Sequence, residues 1–158
     1  VERIRKAVPD IALTTDIIVG FPGETAEDFQ ETLDLVRKVR VEAAFTFMYS
    51  KRTGTKAATM EDQIDDDVKK ERLAKLIHLQ NSITKEINQK YVGRIVEVLV
   101  EGYSKKDLDK LTGRTDTGKT VNFLGNESSI GKLVNVRIKE AKTFVLEGEL
   151  IDKPLIIG

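Results

Sequence analysis

Cysteine is absent from the 158 residues, and histidine occurs once, at His78. The first absence excludes disulfides, thiolate nucleophiles, thiolate zinc sites and cysteine-ligated iron–sulfur clusters built from this chain's own residues. The second makes a His-based triad or a His-rich metal site hard to assemble. Excess charge is also missing, because 26 Lys and Arg balance 26 Asp and Glu. A protein held to nucleic acid or membrane by bulk charge alone is not expected from that balance. No apolar run approaches the roughly 18 residues that cross a bilayer, and the opening Val1-Glu2-Arg3-Ile4-Arg5-Lys6 has no apolar signal core. A soluble, cytoplasmic protein without a membrane partner is the expectation. Hydrophobic residues at 40% and charged residues at 33% suffice for a packed core in one domain or two small ones.

What is present divides near residue 90. Before it, helical and strand patterns alternate. Val1, Ile4 and Val8 stand at helical spacing until Pro9-Asp10. Ile11 to Phe21 is β-branched and nearly continuously apolar, the mark of a strand covered on both faces. Pro22-Gly23 signals a turn, and Thr25 with Asp28 three residues on predicts a helix N-cap. Phe29, Leu33 and Val36 mark that helix's apolar face, and Ala43 to Ser50 reads as a second strand. Strand, helix, strand over this length predicts a βαβ unit with parallel strands. Asp65-Asp66-Asp67 then opens a long helix to about Lys90, with Val68, Leu73, Leu76, Ile77, Gln80, Ile83 and Ile87 as its stripe. Negative charge at a helix N-terminus accounts for the triplet, and a metal site from three adjacent carboxylates is not expected. His78 on that helix reads as a solvated or packing histidine.

After Tyr91 the period becomes two. Strands are predicted at 94–101, 121–124, 133–140 and 144–151, and four or five short antiparallel strands suggest a small closed barrel, which removes exposed edges. The expected fold is α/β plus all-β, with domains 1–90 and 91–158. Within the second, Gly113 to Thr120 matches the phosphate-loop pattern G-x-x-x-x-G-K-[ST] letter for letter. That loop needs a buried strand before it and a helix N-terminus after it. Here charged residues 105–111 precede it and a strand-and-turn pattern follows, so a polar hairpin turn at Asp116-Thr117-Gly118 is expected, not an NTPase.

Three stretches carry candidate chemistry. Alternation sets Thr15, Ile17, Val19 and Phe21 on one face of the first strand, suited to packing on helices, and Thr14, Asp16, Ile18 and Gly20 on the other. The second face is small and polar, as if it lined an occupied cavity; equally, Gly20 and Gly23 simply make the turn. In the second strand Phe45, Phe47 and Tyr49 face one way and Ala44, Thr46, Met48 and Ser50 the other. Its exit carries Lys51, Arg52 and Lys56, a rim for a polyanion or a solvated loop. In 91–158, eleven cations meet ten acids. Lys105, Lys106, Lys110, Arg114 and Lys119 lie around one hairpin, while Lys139 and Lys142 flank a turn at Phe144. That aromatic either stacks on a base or sits in the core.

The run Thr15-Asp16-Ile17-Ile18-Val19-Gly20-Phe21-Pro22-Gly23-Glu24-Thr25 with Asp28-Phe29, then Ala44 to Arg52, closely resembles the radical S-adenosylmethionine tRNA methylthiotransferases. Val68 to Leu73 and Leu79-Gln80-Asn81 resemble that family's next helix. Val96 to Gly102, Gly113-Arg114-Thr115 and Glu140 to Phe144 look like its TRAM domain, most like the branch that modifies adenosine beside the anticodon. The loop after the second strand departs from the family in having Lys51, Thr53 and Lys56 where proline is usual. The resemblance implies the C-terminal part of a partial (βα) barrel followed by an OB-like RNA-binding β-barrel. It also implies S-adenosylmethionine contacts at Asp16, Ile18, Gly20, Pro22, Gly23, Met48 and Tyr49. RNA contacts are implied at Arg52, Lys105, Lys106, Arg114, Lys119, Lys142 and Phe144, with the tRNA anticodon arm as partner.

The intact enzymes use S-adenosylmethionine and two 4Fe–4S clusters to place a methylthio group on C2 of an N6-isopentenyl-type adenosine. Without cysteine this chain binds neither cluster, holds no catalytic residue and no metal, and is expected to be inactive alone. A partial barrel also leaves apolar surface bare, so self-association, strand exchange or a rearranged N-terminal half is expected. The alternative reading is a stand-alone, non-catalytic RNA-binding module.

Overall fold

A computed structural model describes residues 1–151; residues 152–158 of the expected second domain lie outside the described residues. The chain forms two compact units, residues 1–84 and residues 85 onward.

The first unit begins with a short exposed helix, α1 (Glu2–Ala7). Arg5 of α1 donates to the carbonyls of Val39 and Arg40 at 2.6 and 2.9 Å. These are terminal acceptors of α2 (Ala26–Val39), where a cation also complements the helix dipole. The other end of α2 closes as its sequence predicts. Thr25 Oγ1 accepts from the Asp28 amide at 3.1 Å, and Asp28 Oδ2 accepts from the Thr25 amide at 2.9 Å. These bonds, led by the Thr25 amide, hold the Asp28 carboxyl below its ordinary value.

β1 (Thr14–Val19) and β2 (Ala43–Met48) flank α2 in sequence and pair in parallel, with Asp16 beside Phe45 and Ile18 beside Phe47. Val19, Phe29, Leu33, Val36, Val41, Leu76 and Ile83 are the buried apolar side chains of this unit, so the face carrying Ile17 and Val19 is covered. The opposite face is bare: Ile18 is 56% exposed, Phe45 64% and Phe47 51%. Phe21 belongs to neither strand face; it lies beyond the end of β1 and is also exposed.

The long helix, α3 (Asp66–Gln89), departs from its expected stripe. Leu76, Gln80 and Ile83 are buried, but Val68 and Ile77 are exposed, and Lys69, Thr84 and Asn88 are buried instead. Polar anchors turn the helix this way. Gln80 donates to the Val41 carbonyl at 3.0 Å and Thr84 to the Glu42 carbonyl at 2.9 Å, satisfying backbone acceptors just before β2.

The second unit is a closed five-strand barrel: β3 (Ile95–Tyr103), β4 (Lys110–Arg114), β5 (Thr120–Leu124), β6 (Leu133–Ala141) and β7 (Leu146–Ile151), in the order β3-β4-β5-β7-β6. The expectation of antiparallel strands holds for four of the pairings and fails for β5 and β7, which run parallel. The reason is arithmetic: directions around a ring of five strands cannot alternate throughout. Val98, Val100, Leu111, Val121, Phe123, Val136, Ile138, Ala141 and Leu146 fill the interior. Burial of each larger side chain is worth about 1.5–3 kcal/mol.

β4 falls where the sequence suggests a charged connection. It points only Leu111 and Gly113 inward, and Gly113 leaves no room for more: a Cβ there meets the Leu99 carbonyl oxygen and, at 2.6 Å, Val98 Cγ1. The phosphate-loop letters therefore spell a β-hairpin, closed by Gly118 N–H to the Thr115 carbonyl at 2.9 Å. Gly113→Ala is expected to cost about 3 kcal/mol through overpacking. Gly118→Asn, at a left-handed φ of 77° with open space around it, should cost about 1 kcal/mol or less. Denaturant melts of the two variants check this; equal losses contradict it. The bare face of β1 and β2 predicts weak self-association. In sedimentation velocity the average mass should rise with concentration, and Phe45→Ser/Phe47→Ser should suppress the rise.

Candidate cofactor wall and nucleic-acid interface

The turn after β1 is tied down from three sides. Gly20 takes a left-handed φ of 72°, and its Cα lies so close to the Lys69 side-chain stem that no Cβ fits. Its amide donates to Glu24 Oε2 at 3.0 Å. Glu24 Oε1 receives Arg72 at 2.6 Å, and Arg72 also donates to the Glu24 carbonyl at 2.9 Å. Both side chains are nearly buried, at 12% and 13% exposure, with the guanidinium also 5.6 Å from the Phe29 ring centroid. Gly23 donates to the Asp62 carbonyl at 2.8 Å. The Glu24–Arg72 pair fixes the loop, and sequence reading missed it because 48 residues separate the partners. Pairing at that distance leaves no periodic or motif signal.

Beside this turn the bare sheet face becomes a cavity of about 450 Å³, lined among others by Ile18, Phe21, Phe47, Met48, Tyr49 and Arg52. Phe21 and Tyr49 meet edge to face, their centroids 5.3 Å apart. The Tyr49 hydroxyl is buried with no hydrogen-bond partner among the described residues. Of the residues expected to contact S-adenosylmethionine, Ile18, Met48 and Tyr49 therefore share one cavity. Asp16 lies on the same open face one pair further back. Gly20 and Pro22 are buried behind it, and Gly23 is exposed with its amide turned to Asp62. Arg52, expected on RNA, lines this cavity too. An apolar and aromatic wall with one unpaired hydroxyl fits one side of an adenosyl group, which offers a flat apolar ring and polar edges. An iron–sulfur cluster does not fit: the sequence has no cysteine, and no metal-holding group of acidic or His side chains occurs among the described residues.

In the barrel, strand direction sorts the basic residues. One rim is formed by the starts of β3, β5 and β7 and the ends of β4 and β6. It carries Arg114, Lys119, Lys142 and Phe144. The opposite rim carries the β3–β4 connection with exposed Lys105 and Lys106. The expected RNA set thus divides, with four members on one rim, two on the other, and Arg52 in the first unit.

On the first rim, Phe144 is 71% exposed, which settles its open alternatives against the core. Lys142 reaches Glu147 at 3.1 Å, Lys139 reaches Glu149 at 2.8 Å, and Arg114 lies 3.3 Å from Glu101. Lys119 donates to Asn88 Oδ1 at 3.0 Å and lies 5.0 Å from the Tyr91 ring centroid, which Arg94 approaches to 4.9 Å. Asn88, Tyr91 and Arg94 were not legible as part of this rim, since they follow from how the end of α3 meets the barrel strands. Burial pushes the Glu147 carboxyl up, but hydrogen bonds from Lys110 at 2.7 Å and from Lys142 outweigh it and hold the group below its ordinary value.

The comparisons agree with this geometry. Residues 89–151 match the TRAM domain family, a match that fits the small closed barrel those residues form. Along nearly its whole length the chain is also homologous to proteins named tRNA-2-methylthio-N(6)-dimethylallyladenosine synthase. Identity is 60% to that of Thermoanaerobacter sp. (strain X514), over 96% of this chain and 32% of the relative. It is 60% to that of Acetivibrio thermocellus, over 96% and 32%, and 58% to that of Alkaliphilus oremlandii, over 97% and 32%. The chain spans about a third of the length of the curated relatives it matches. No described helix is long and apolar enough to cross a membrane.

Two outcomes follow. Arg72→Ala, which strands the Glu24 carboxylate, should destabilise the first unit by about 2–4 kcal/mol in chemical denaturation. Glu147, with its folded-state value lowered, contributes stability that is complete above the ordinary 4.5 and lost as pH falls through the lower folded value. Glu147→Gln should therefore flatten the acid limb of the barrel's melting profile as pH falls below the ordinary 4.5.

Proposed function

We propose that this chain supplies two parts of a tRNA methylthiotransferase: one wall of the S-adenosylmethionine site and an RNA-binding barrel. The intact enzyme would place a methylthio group on C2 of an N6-isopentenyl-type adenosine next to the anticodon. In this reading β1, α2 and β2 belong to a partial (βα) barrel whose interior is the open face of Ile18 and Phe47. That open face, continuous with the Met48–Tyr49 cavity, is the observation that carries the cofactor reading. Ile18 and Phe47 would pack on the adenosyl group, the Tyr49 hydroxyl would meet a polar edge, and the Glu24–Arg72 pair would keep the Gly20 turn from drifting. When bound, the cofactor supplies the hydrogen-abstracting and methyl-donating chemistry. The clusters such enzymes require need thiolates that this chain lacks, so no step is assigned to its residues and the chain alone is proposed to be inactive.

The tRNA reading is supported by the TRAM match and the rim of Arg114, Lys119, Lys142 and Phe144. Net charge near zero makes placement of these groups, and not a bulk field, the source of affinity. Binding of an anticodon stem–loop RNA by the 158-residue chain tests it. Arg114→Ala and Lys142→Ala should each weaken binding about 3- to 10-fold and lower the salt slope by about 1. Unchanged affinity in both removes the assignment.

A further inference from the structure

The last turn of α3 commits two polar side chains, one of them buried, to one short barrel connection. Asn88 is 4% exposed. Its Nδ2 donates to the carbonyls of Lys142 and Thr143, at 3.0 and 2.9 Å. Its Oδ1 accepts from Lys119 at 3.0 Å. Next to it, Gln89 Nε2 donates to the Ala141 carbonyl at 2.8 Å. Three successive carbonyls, 141 to 143, are thus held by two neighbouring helix residues, and the Lys142 amide closes the turn on the Val145 carbonyl at 2.9 Å. A two- to five-residue hairpin turn needs no such anchoring to exist. The residue this turn presents is Phe144, a large aromatic left 71% in water. An aromatic on a fixed backbone stacks with less entropic loss, because ordering a loose turn at the moment of binding lowers affinity.

We infer that Asn88 is a positioning residue for nucleic-acid binding: its carboxamide pre-sets the 142–145 turn so that Phe144 stands ready to stack on an unpaired base, and through Lys119 it couples this turn to the β4–β5 turn. The inference rests on the RNA reading above and adds the residue through which the rim acts. The chemistry required is specific. Asparagine offers two donors to the carbonyls and one acceptor to the lysine. Aspartate, of the same shape, keeps the acceptor but sets a carboxylate oxygen against two carbonyl oxygens.

The test is a double-mutant cycle on anticodon stem–loop binding with the 158-residue chain carrying Asn88→Asp, Phe144→Ala or both, alongside Arg114→Ala. Phe144→Ala should weaken binding about 5- to 100-fold, the range that base stacking on an aromatic covers. Asn88→Asp should weaken it about 5-fold or more, and the double variant should bind no worse than Phe144→Ala alone. Amide hydrogen exchange at Lys142 should speed up in Asn88→Asp. Because Asn88 is buried, Gln89→Glu, at an exposed position, gives a second route: a smaller loss, again absent in the Phe144→Ala background. Full additivity of either variant with Phe144→Ala shows a merely structural role and overturns the proposal. So does a loss on Arg114→Ala with none on Phe144→Ala, while leaving the RNA reading in place. Absence of any RNA binding by the unmodified chain removes both.

Discussion

A parallel pair of strands has two faces, and the helices of the first unit cover only one. Parallel strands are ordinarily buried on both sides, so Ile18, Phe45 and Phe47 in water are the feature from which the functional reading grows. Nothing about the covered side is unusual: Val19 is buried, as are Leu33, Val36 and Leu76. The cost of the open side is accepted at the position where the backbone is most heavily constrained, by a left-handed Gly20, a nearly buried Glu24–Arg72 pair and the Gly23–Asp62 bond. Rigid support behind an exposed apolar wall is what a site for a flat, partly apolar ligand requires.

The barrel solves a different problem. Among the described residues nine buried apolar side chains fill it, and closure leaves no free edge. The proposed function is therefore sought at the rims, where the connections lie. One rim concentrates Arg94, Arg114, Lys119, Lys142 and Phe144, yet most of its cations answer to a carboxylate or a ring of the same unit. Such pairs at the surface are individually weak. In the proposed RNA reading, such pairs would hold the cations in place and give way to a phosphate.

Much of this was readable from the chain itself. The Thr25–Asp28 cap, the parallel βαβ unit and the hairpin at Asp116-Thr117-Gly118 all follow from local spacing, because local chemistry decides them. β4 was not readable, since a strand whose inward residues are Leu111 and Gly113 carries almost no hydrophobic alternation. The parallel closure of β5 on β7 is a property of the ring and leaves no mark on either strand. The misplaced stripe of α3 has the same origin: Gln80 was expected within it, whereas Thr84 and Asn88 stood outside it, and backbone carbonyls distant in sequence draw all three inside. The roles of Glu24, Arg72 and Asn88 are all of this long-range kind.

The wall formed by β1 and β2 is the central claim, and a titration of the isotopically labelled chain with S-adenosylhomocysteine at millimolar concentration addresses it most directly. Weak but saturable shifts at the amides of Ile18, Phe47, Met48 and Tyr49 are the predicted result. Shifts confined to the groove on the other side of β1, around Leu13, Ile17 and Val36, or no saturable shift at all, would contradict it.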